Sequence, residues 1–305
     1  VPWNAANATA KLSYDLNDTD RIYAGINYQQ TNLNYTQFNT YLRDAATGAP
    51  VSNGTLEING QLVVLTNYDF ALWSSLPLHE SATRYFIGYD GTVGDGYSLK
   101  VDLASIQRAY SFTLADPTAA WNSGSGKLSD TPNTGLDGTV QLTFPVGSRQ
   151  ILVTGLALHN DSVNQKIYAL SDWRNPDTKS NVTGSYNGDS TTTSVFAQDE
   201  ISAADALTVY LGGRLDNWET RGDNFNTVTT LYPTRSVTAF SPKVSAVYKP
   251  IETTTLRFSF GRSFREPANQ DLYTSSTSRG RTTTGDPNLQ PERGTTWEIG
   301  NELKV

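Results

Sequence analysis

The chain has no cysteine, no methionine, only two histidines and no run of about 18 apolar residues. Each absence removes a class of chemistry. Without cysteine there are no disulfides, no thiolate nucleophile and no thiolate-held metal. His79 and His159 stand 80 residues apart, which gives no short metal-ligand pattern, so both are expected in the wall or its connections. No segment reads as a membrane-crossing helix. The lack of methionine even at position 1 marks a chain that is not an initiated precursor, and a missing export signal therefore says nothing about compartment. Acidic residues outnumber basic ones, 30 against 23, for a net charge of −7. That balance leaves no basic patch, so no nucleic-acid partner is expected.

What the sequence does contain is a period of two. Leu207, Val209 and Leu211 alternate with Thr208 and Tyr210, and Leu99, Val101 and Leu103 alternate with Ser98, Lys100 and Asp102. Such alternation puts an apolar face and a polar face on an extended strand. About eleven strands of 9–17 residues follow from it, longer than the usual five or six of soluble sheets. The 16 tyrosines and abundant threonine suit strands, and the 24 glycines suit turns. Only 37% of the residues are hydrophobic, yet the sustained alternation argues against disorder.

The connections are lopsided. Short turns fall near residues 18, 95, 147, 203 and 252, and longer connections at about 31–81, 114–135, 171–190, 219–236 and 265–294. An extra hairpin is expected around Leu62–Trp73. In an antiparallel meander successive connections alternate ends, so the short ones gather at one end and the long ones at the other. This points to an all-β fold, a transmembrane antiparallel β-barrel. Its strands pair every backbone amide while side chains alternate between lipid and a wet lumen. Leu256, Phe258 and Phe260 are expected to face lipid; Lys100, Asp102, Arg214, Asp216 and Arg257 are expected to face the lumen. A soluble sandwich or solenoid is the alternative. Eleven strands begin and end in the same direction, so the sheet is expected to be an open portion of a larger barrel.

Other patterns carry little chemistry. Gly91–Gly96 is glycine-rich but sits in a hairpin turn, not between a strand and a helix. Asp177, Asp189, Asp199 and Glu200 lack the twelve-residue calcium-loop spacing and read as surface acids. No Gly-x-Ser-x-Gly elbow is present.

The distal segment is more specific. Phe260-Gly-Arg-Ser-Phe-Arg-Glu-Pro267, then Asp271-Leu-Tyr273, Gly285-Asp-Pro-Asn-Leu-Gln-Pro-Glu292 and Trp297-Glu-Ile-Gly300 follow in order. Upstream stand Val195-Phe-Ala-Gln-Asp-Glu200, Gly212-Gly-Arg-Leu-Asp216, Phe240-Ser-Pro-Lys243 and Tyr248-Lys-Pro250. Together these resemble the distal barrel of TonB-dependent outer-membrane receptors, with Asp286 where that family usually has asparagine. The resemblance is strong over residues 191–305 and rests on strand pattern alone over 8–170.

The resemblance implies a 22-stranded barrel closed by an N-terminal plug, with the plug and its TonB box absent from these residues. It implies an outer-membrane protein of a Gram-negative bacterium, in contact with outer-membrane lipid and lipopolysaccharide. Energy would come from the TonB–ExbB–ExbD complex acting through the plug. The function implied is active uptake of a scarce small-molecule or metal-chelate ligand, a ferric siderophore first among them, with no enzymatic step and no cofactor. A substrate-selective porin and a surface adhesin or phage-binding protein are the alternatives.

Ligand contacts are expected on the long-connection side, where aromatic rings stack and guanidinium groups pair with anionic oxygens. The candidates are Tyr41, Arg43, Trp73, Trp121, Trp173, Arg174, Tyr232, Arg235, Tyr273, Arg279 and Arg281. Trp73, Trp121 and Trp218 also suit an interfacial aromatic belt. Arg265, Glu266 and Pro267 read as a structural junction, an ion pair or hinge for the following loop, which Pro287 and Pro291 would stiffen.

Overall fold

A computed structural model describes residues 3–34, 42–44, 46–51, 53–66, 77–94, 96–120, 123–278 and 281–304. The strands are β1 (Trp3–Asp15), β2 (Arg21–Leu33), β3 (Gly54–Ile58), β4 (Gln61–Leu65), β5 (Leu78–Thr92), β6 (Ser98–Ala115), β7 (Gly126–Val146) and β8 (Gln150–Leu170). They continue with β9 (Lys179–Ala204), β10 (Leu207–Asn226), β11 (Val228–Ile251), β12 (Thr254–Arg265), β13 (Ser275–Ser278), β14 (Arg281–Thr284) and β15 (Glu292–Leu303). One short helix, α1 (Asn269–Tyr273), lies between β12 and β13. Eleven strands form a single antiparallel sheet in the order β1-β2-β5-β6-β7-β8-β9-β10-β11-β12-β15. Among the described residues β1 and β15 are its edges, and they run the same way.

The two faces of this sheet differ as the alternation requires. Cross-strand register aligns Leu211 with Val244, Leu215 with Phe240, Phe258 with Ile299 and Phe260 with Trp297. Phe240, Trp297 and Ile299 are 64, 69 and 71% exposed, which an aqueous surface would penalise over so wide a patch. The apolar stretch of this face covers residues 207–215 on β10, 240–248 on β11 and 136–144 on β7. Each stretch is nine residues, matching the roughly 9–11 residues a tilted strand needs to cross a bilayer. Asp199 is the exception, set on this face between Leu152 and Leu211 near the short-turn end of β9. Among the described residues no helix is long and apolar enough to cross a membrane.

The opposite face is concave and polar. It carries the ion pairs Asp137–His159, Arg214–Asp216 and Arg257–Glu302, each at 2.7 Å, and Lys100–Asp102 at 3.6 Å. The Tyr23 hydroxyl reaches over Gly88, past the whole of β5, to donate to Asp102 on β6. Ser190, Thr192, Ser194 and Asp216 are buried on this face, Ser194 and Asp216 beneath hydrogen bonds from Arg214.

The strands are longer than the alternation predicted. The expected connection 219–236 is strand on both sides of a single turn residue, Thr227, held at φ 74. The expected connections 114–135 and 171–190 shorten to 116–125 and 171–178. Beyond the apolar band polar residues stand on both faces of β10, as Glu219, Thr220, Arg221 and Asp223 do, so the ladder continues without the contrast that reveals strands in a sequence. The extra hairpin pairs residues 54–58 with 61–65, earlier than expected, because Asn59 and Gly60 take φ 52 and 78 and make the tight turn. The rest of the expected hairpin, from 67 onward, lies outside the described residues.

Two small apolar cores sit beyond the band. One, on the outer face by alternation, packs Trp173 with Ala115, Ala119, Leu128 and Leu170. The other, on the concave face, packs Trp218 with Val163, Tyr186, Leu272 and Tyr273.

Candidate functional site

The second core exists because α1 folds back into the concavity and is seated there. Gly188 on β9 and Gly222 on β10 stand directly opposite each other, leaving a notch free of side chains. Asn269 and Tyr273 fill it: a Cβ on Gly188 would lie 2.8 Å from the Asn269 Cβ, and one on Gly222 2.6 Å from the Tyr273 ring. Glycine inside a strand marks such a close approach of another segment.

Hydrogen bonds lock the seat. The Asn269 amide donates to the Asp161 carbonyl at 3.0 Å and to its carboxylate at 3.3 Å. Ser190 Oγ lies 2.8 Å from Asn269 Oδ1 and 2.9 Å from Thr220 Oγ1, which in turn lies 2.8 Å from the Tyr273 hydroxyl. A single donor direction satisfies this chain: Tyr273 donates to Thr220, Thr220 to Ser190, and Ser190 to Asn269. Asn224 donates to the Tyr273 carbonyl at 3.1 Å and to the Tyr232 hydroxyl at 3.0 Å. Burial pushes the Tyr273 phenol above its ordinary pKa. Burial, reinforced by the carboxylates of Asp161 and Asp271, pushes Tyr186 to about 12. Both tyrosines lie beyond the apolar band.

The far arm of the same connection is tied down by Arg235. Its guanidinium stacks over Trp218 at 5.1 Å, donates to the Pro287 carbonyl at 2.8 Å and also donates to the Leu289 carbonyl. Arg265 pairs at 2.8 Å with Glu292, its partner across the β12–β15 ladder, rather than with the adjacent Glu266. The junction therefore closes the base of the connection, with Pro267 leading the chain into α1.

Between this seated connection and the wall opens a cavity of about 620 Å³. It falls within the roughly 300–1,000 Å³ of small-molecule sites. Asp161, Glu266, Asp271 and Glu292 face Arg108, Arg265 and His159 around it. That lining suits a neutral or zwitterionic guest better than a strongly anionic one.

The structure brings Tyr232, Arg235 and Tyr273 together, but as packing. Tyr273 is 1% exposed, and the rings of Tyr232 and Tyr273 stand 5.5 Å apart. Trp173 is fully buried, and its indole donates to the Ala120 carbonyl at 3.0 Å while Arg174 stacks on its ring at 5.1 Å. Trp218 is fully buried on the concave face, so it is not part of an interfacial belt. Arg43 stands exposed in the 42–51 turn and donates to the Leu42 carbonyl at 3.0 Å. Arg281 belongs to β14, and Tyr41, Trp73, Trp121 and Arg279 lie outside the described residues. Asn269, Asp161, Ser190 and Thr220 were not among the sequence candidates. The signal that would have found them is Gly188 and Gly222, two glycines inside strands.

The family described as TonB dependent receptor-like, beta-barrel matches residues 13–304. Among solved structures, the ferric yersiniabactin uptake receptor FyuA from Yersinia pestis aligns with a TM-score of 0.62 at 12% identity, over 99% of this chain and 43% of that one. The copper transporter OprC aligns at 0.68 and 13%, over 99% and 43%. The Pseudomonas aeruginosa ferripyoverdine receptor, bound to ferripyoverdine, aligns at 0.62 and 17%, over 98% and 39%. At such identities the likeness is one of fold, and the chain spans less than half the length of these three proteins. No curated protein matches. The family match extends over nearly the whole chain, through the two-faced wall and the seated distal connection alike, and the chain belongs to the TonB-dependent receptor β-barrel family.

Proposed function

We propose that this chain forms the wall of an outer-membrane receptor that captures a scarce metal chelate, a ferric siderophore first, and admits it by TonB-driven active transport. The observation that carries the reading is the polar concave face, which ends beyond the apolar band in a cavity roofed by a hydrogen-bonded connection. A porin also folds its constriction from barrel loops, so it is the family match that favours capture over free diffusion. The short turns then face the periplasm and the long connections face outward. The lumen ion pairs supply a hydrated wall, and the energy of opening comes from the TonB–ExbB–ExbD complex through a plug domain. Outer-membrane lipid meets the nine-residue band, and lipopolysaccharide meets the outer face above it.

The test is uptake of iron-55 chelates by cells that carry or lack the gene, with and without a collapsed proton gradient. The reading expects accumulation that needs both the gene and the gradient. Gene-dependent accumulation that survives collapse of the gradient would leave a porin instead.

A further inference from the structure

Next to the charged cavity lies a smaller one of about 240 Å³, walled by β6–β9, the end of β10 and the segment that runs through α1 into β13. We propose that it is a subsite for a neutral, hydroxyl-bearing six-membered ring at the periphery of the ligand. The proposal rests on the reading that this end of the barrel captures a small molecule.

Size is the first argument. At about 240 Å³ the cavity is below the roughly 300–1,000 Å³ of sites for whole drug-sized molecules, so it accepts one ring and not an entire chelate.

Charge is the second. In a chain with 30 acidic residues and a net charge of −7, Lys127 is, among the described residues, the only charged side chain lining the cavity. The 620 Å³ cavity beside it holds four carboxylates. A guest with a formal charge would lose hydration here and find at most one counter-charge, which disfavours it. A neutral guest loses little.

The lining supplies what such a ring needs. Tyr110 and Phe112 of β6 have centroids 5.5 Å apart and planes inclined at 49°, a corner of two π faces against which a flat or chair-shaped ring can pack. Around that corner stand hydroxyl and carboxamide groups, which donate and accept as a ligand hydroxyl does. The Gln165 amide donates to Ser129 Oγ at 3.1 Å and Thr131 Oγ1 at 3.3 Å. Each hydroxyl thus has its acceptor side engaged and its own proton left to offer a guest. The far wall includes Gln270, an exposed residue on the seated α1, so the glycine notch that fixes the helix also fixes the cavity before a guest arrives.

Sugar rings and catechol rings share this chemistry, and two probes separate them: methyl β-D-glucopyranoside and 2,3-dihydroxybenzamide. Each is titrated against the full-length receptor in detergent micelles, with saturation-transfer NMR as the readout. One of the two is expected to bind saturably. Tyr110→Ala and Gln270→Leu are each expected to weaken it about three- to tenfold, in line with the loss of one ring contact or one hydrogen bond. Citrate, a trianion, is expected not to compete. Saturation by neither ring, an unchanged curve in both variants, or displacement by citrate at equal potency would overturn the proposal. Heat-modifiable gel migration reports whether each variant is a folded barrel, and Gln270→Leu decides the matter if Tyr110→Ala does not fold. Binding to purified receptor needs no proton gradient. Gradient-dependent uptake without ring binding therefore removes only the subsite, and ring binding without such uptake removes only the transport reading.

Discussion

Gly188 and Gly222 do more for this site than any charged residue, because they leave the space that α1 occupies. Restoring a side chain at either position should unseat the helix without breaking the barrel. For Gly188→Val the expected result is normal heat-modifiable migration with a spin label at Gln270 changing from restricted to mobile, and a label that stays restricted would count against the notch. Asn269→Ala leaves Ser190 and Asp161 short of a partner, which costs about 1–3 kcal/mol for a buried unsatisfied group. That loss should appear as faster hydrogen exchange over 269–273 with little change in global unfolding. Tyr186 offers a pH test. Its folded pKa is raised to about 12 by burial first, and its unfolded value is near 10. The stability it contributes is complete below about pH 10 and is lost as pH rises toward 12. Absorbance at 295 nm should show this phenol ionising late, after exposed tyrosines, and the α1 seat should loosen over the same interval. Early ionisation in the folded receptor would contradict the burial.

At the scale of the element, the band and the strands beyond it obey different rules. Phe258 is 42% exposed between Ala246 and Ile299, so Phe258→Lys should cost about 2–4 kcal/mol in lipid vesicles if the position is near the midplane. Ser259→Lys, one residue along and facing the lumen, should cost far less; equal losses would mean that the faces are misassigned. Thr227 turns β10 into β11 at φ 74, which a branched side chain tolerates poorly. Thr227→Gly should therefore stabilise that hairpin by about 1 kcal/mol, read from local hydrogen exchange. The contrast explains what the sequence disclosed. Within the band, Leu207, Val209 and Leu211 alternate with polar residues, and all eleven strands of the main sheet were legible there. Beyond it, 219–227 reads Glu-Thr-Arg-Gly-Asp-Asn-Phe-Asn-Thr with polar groups on both faces, and no period is left to detect. Of the aromatic and arginine candidates, Trp173, Tyr273 and Arg235 make packing contacts, and Tyr232 and Arg235 lie in β11 rather than in a connection. Composition cannot distinguish a ring that stacks on a ligand from one that stacks on the protein's own backbone and side chains.

At the scale of the molecule, three features belong together: an apolar outer band nine residues tall, a polar concavity, and long strands that carry a locked connection beyond the band. Several acids and bases of the lumen face pair with one another, as Arg214 does with Asp216 and His159 with Asp137, which keeps the wall polar. On the proposed function, recognition falls to the cavities at the far end, where hydrogen bonds hold α1 and the 285–291 segment. A spin-label scan of β10 from Leu207 to Asn226 in lipid vesicles tests the arrangement most directly. Labels at 207, 209, 211, 213 and 215 should be accessible to oxygen and shielded from a polar nickel reagent, and those at 208, 210, 212 and 214 should show the reverse. From 217 onward the polar reagent should reach the outward positions, while 220 and 224 stay shielded by α1. Water access at every position from 207 to 215, or loss of the period of two within that stretch, would contradict the account.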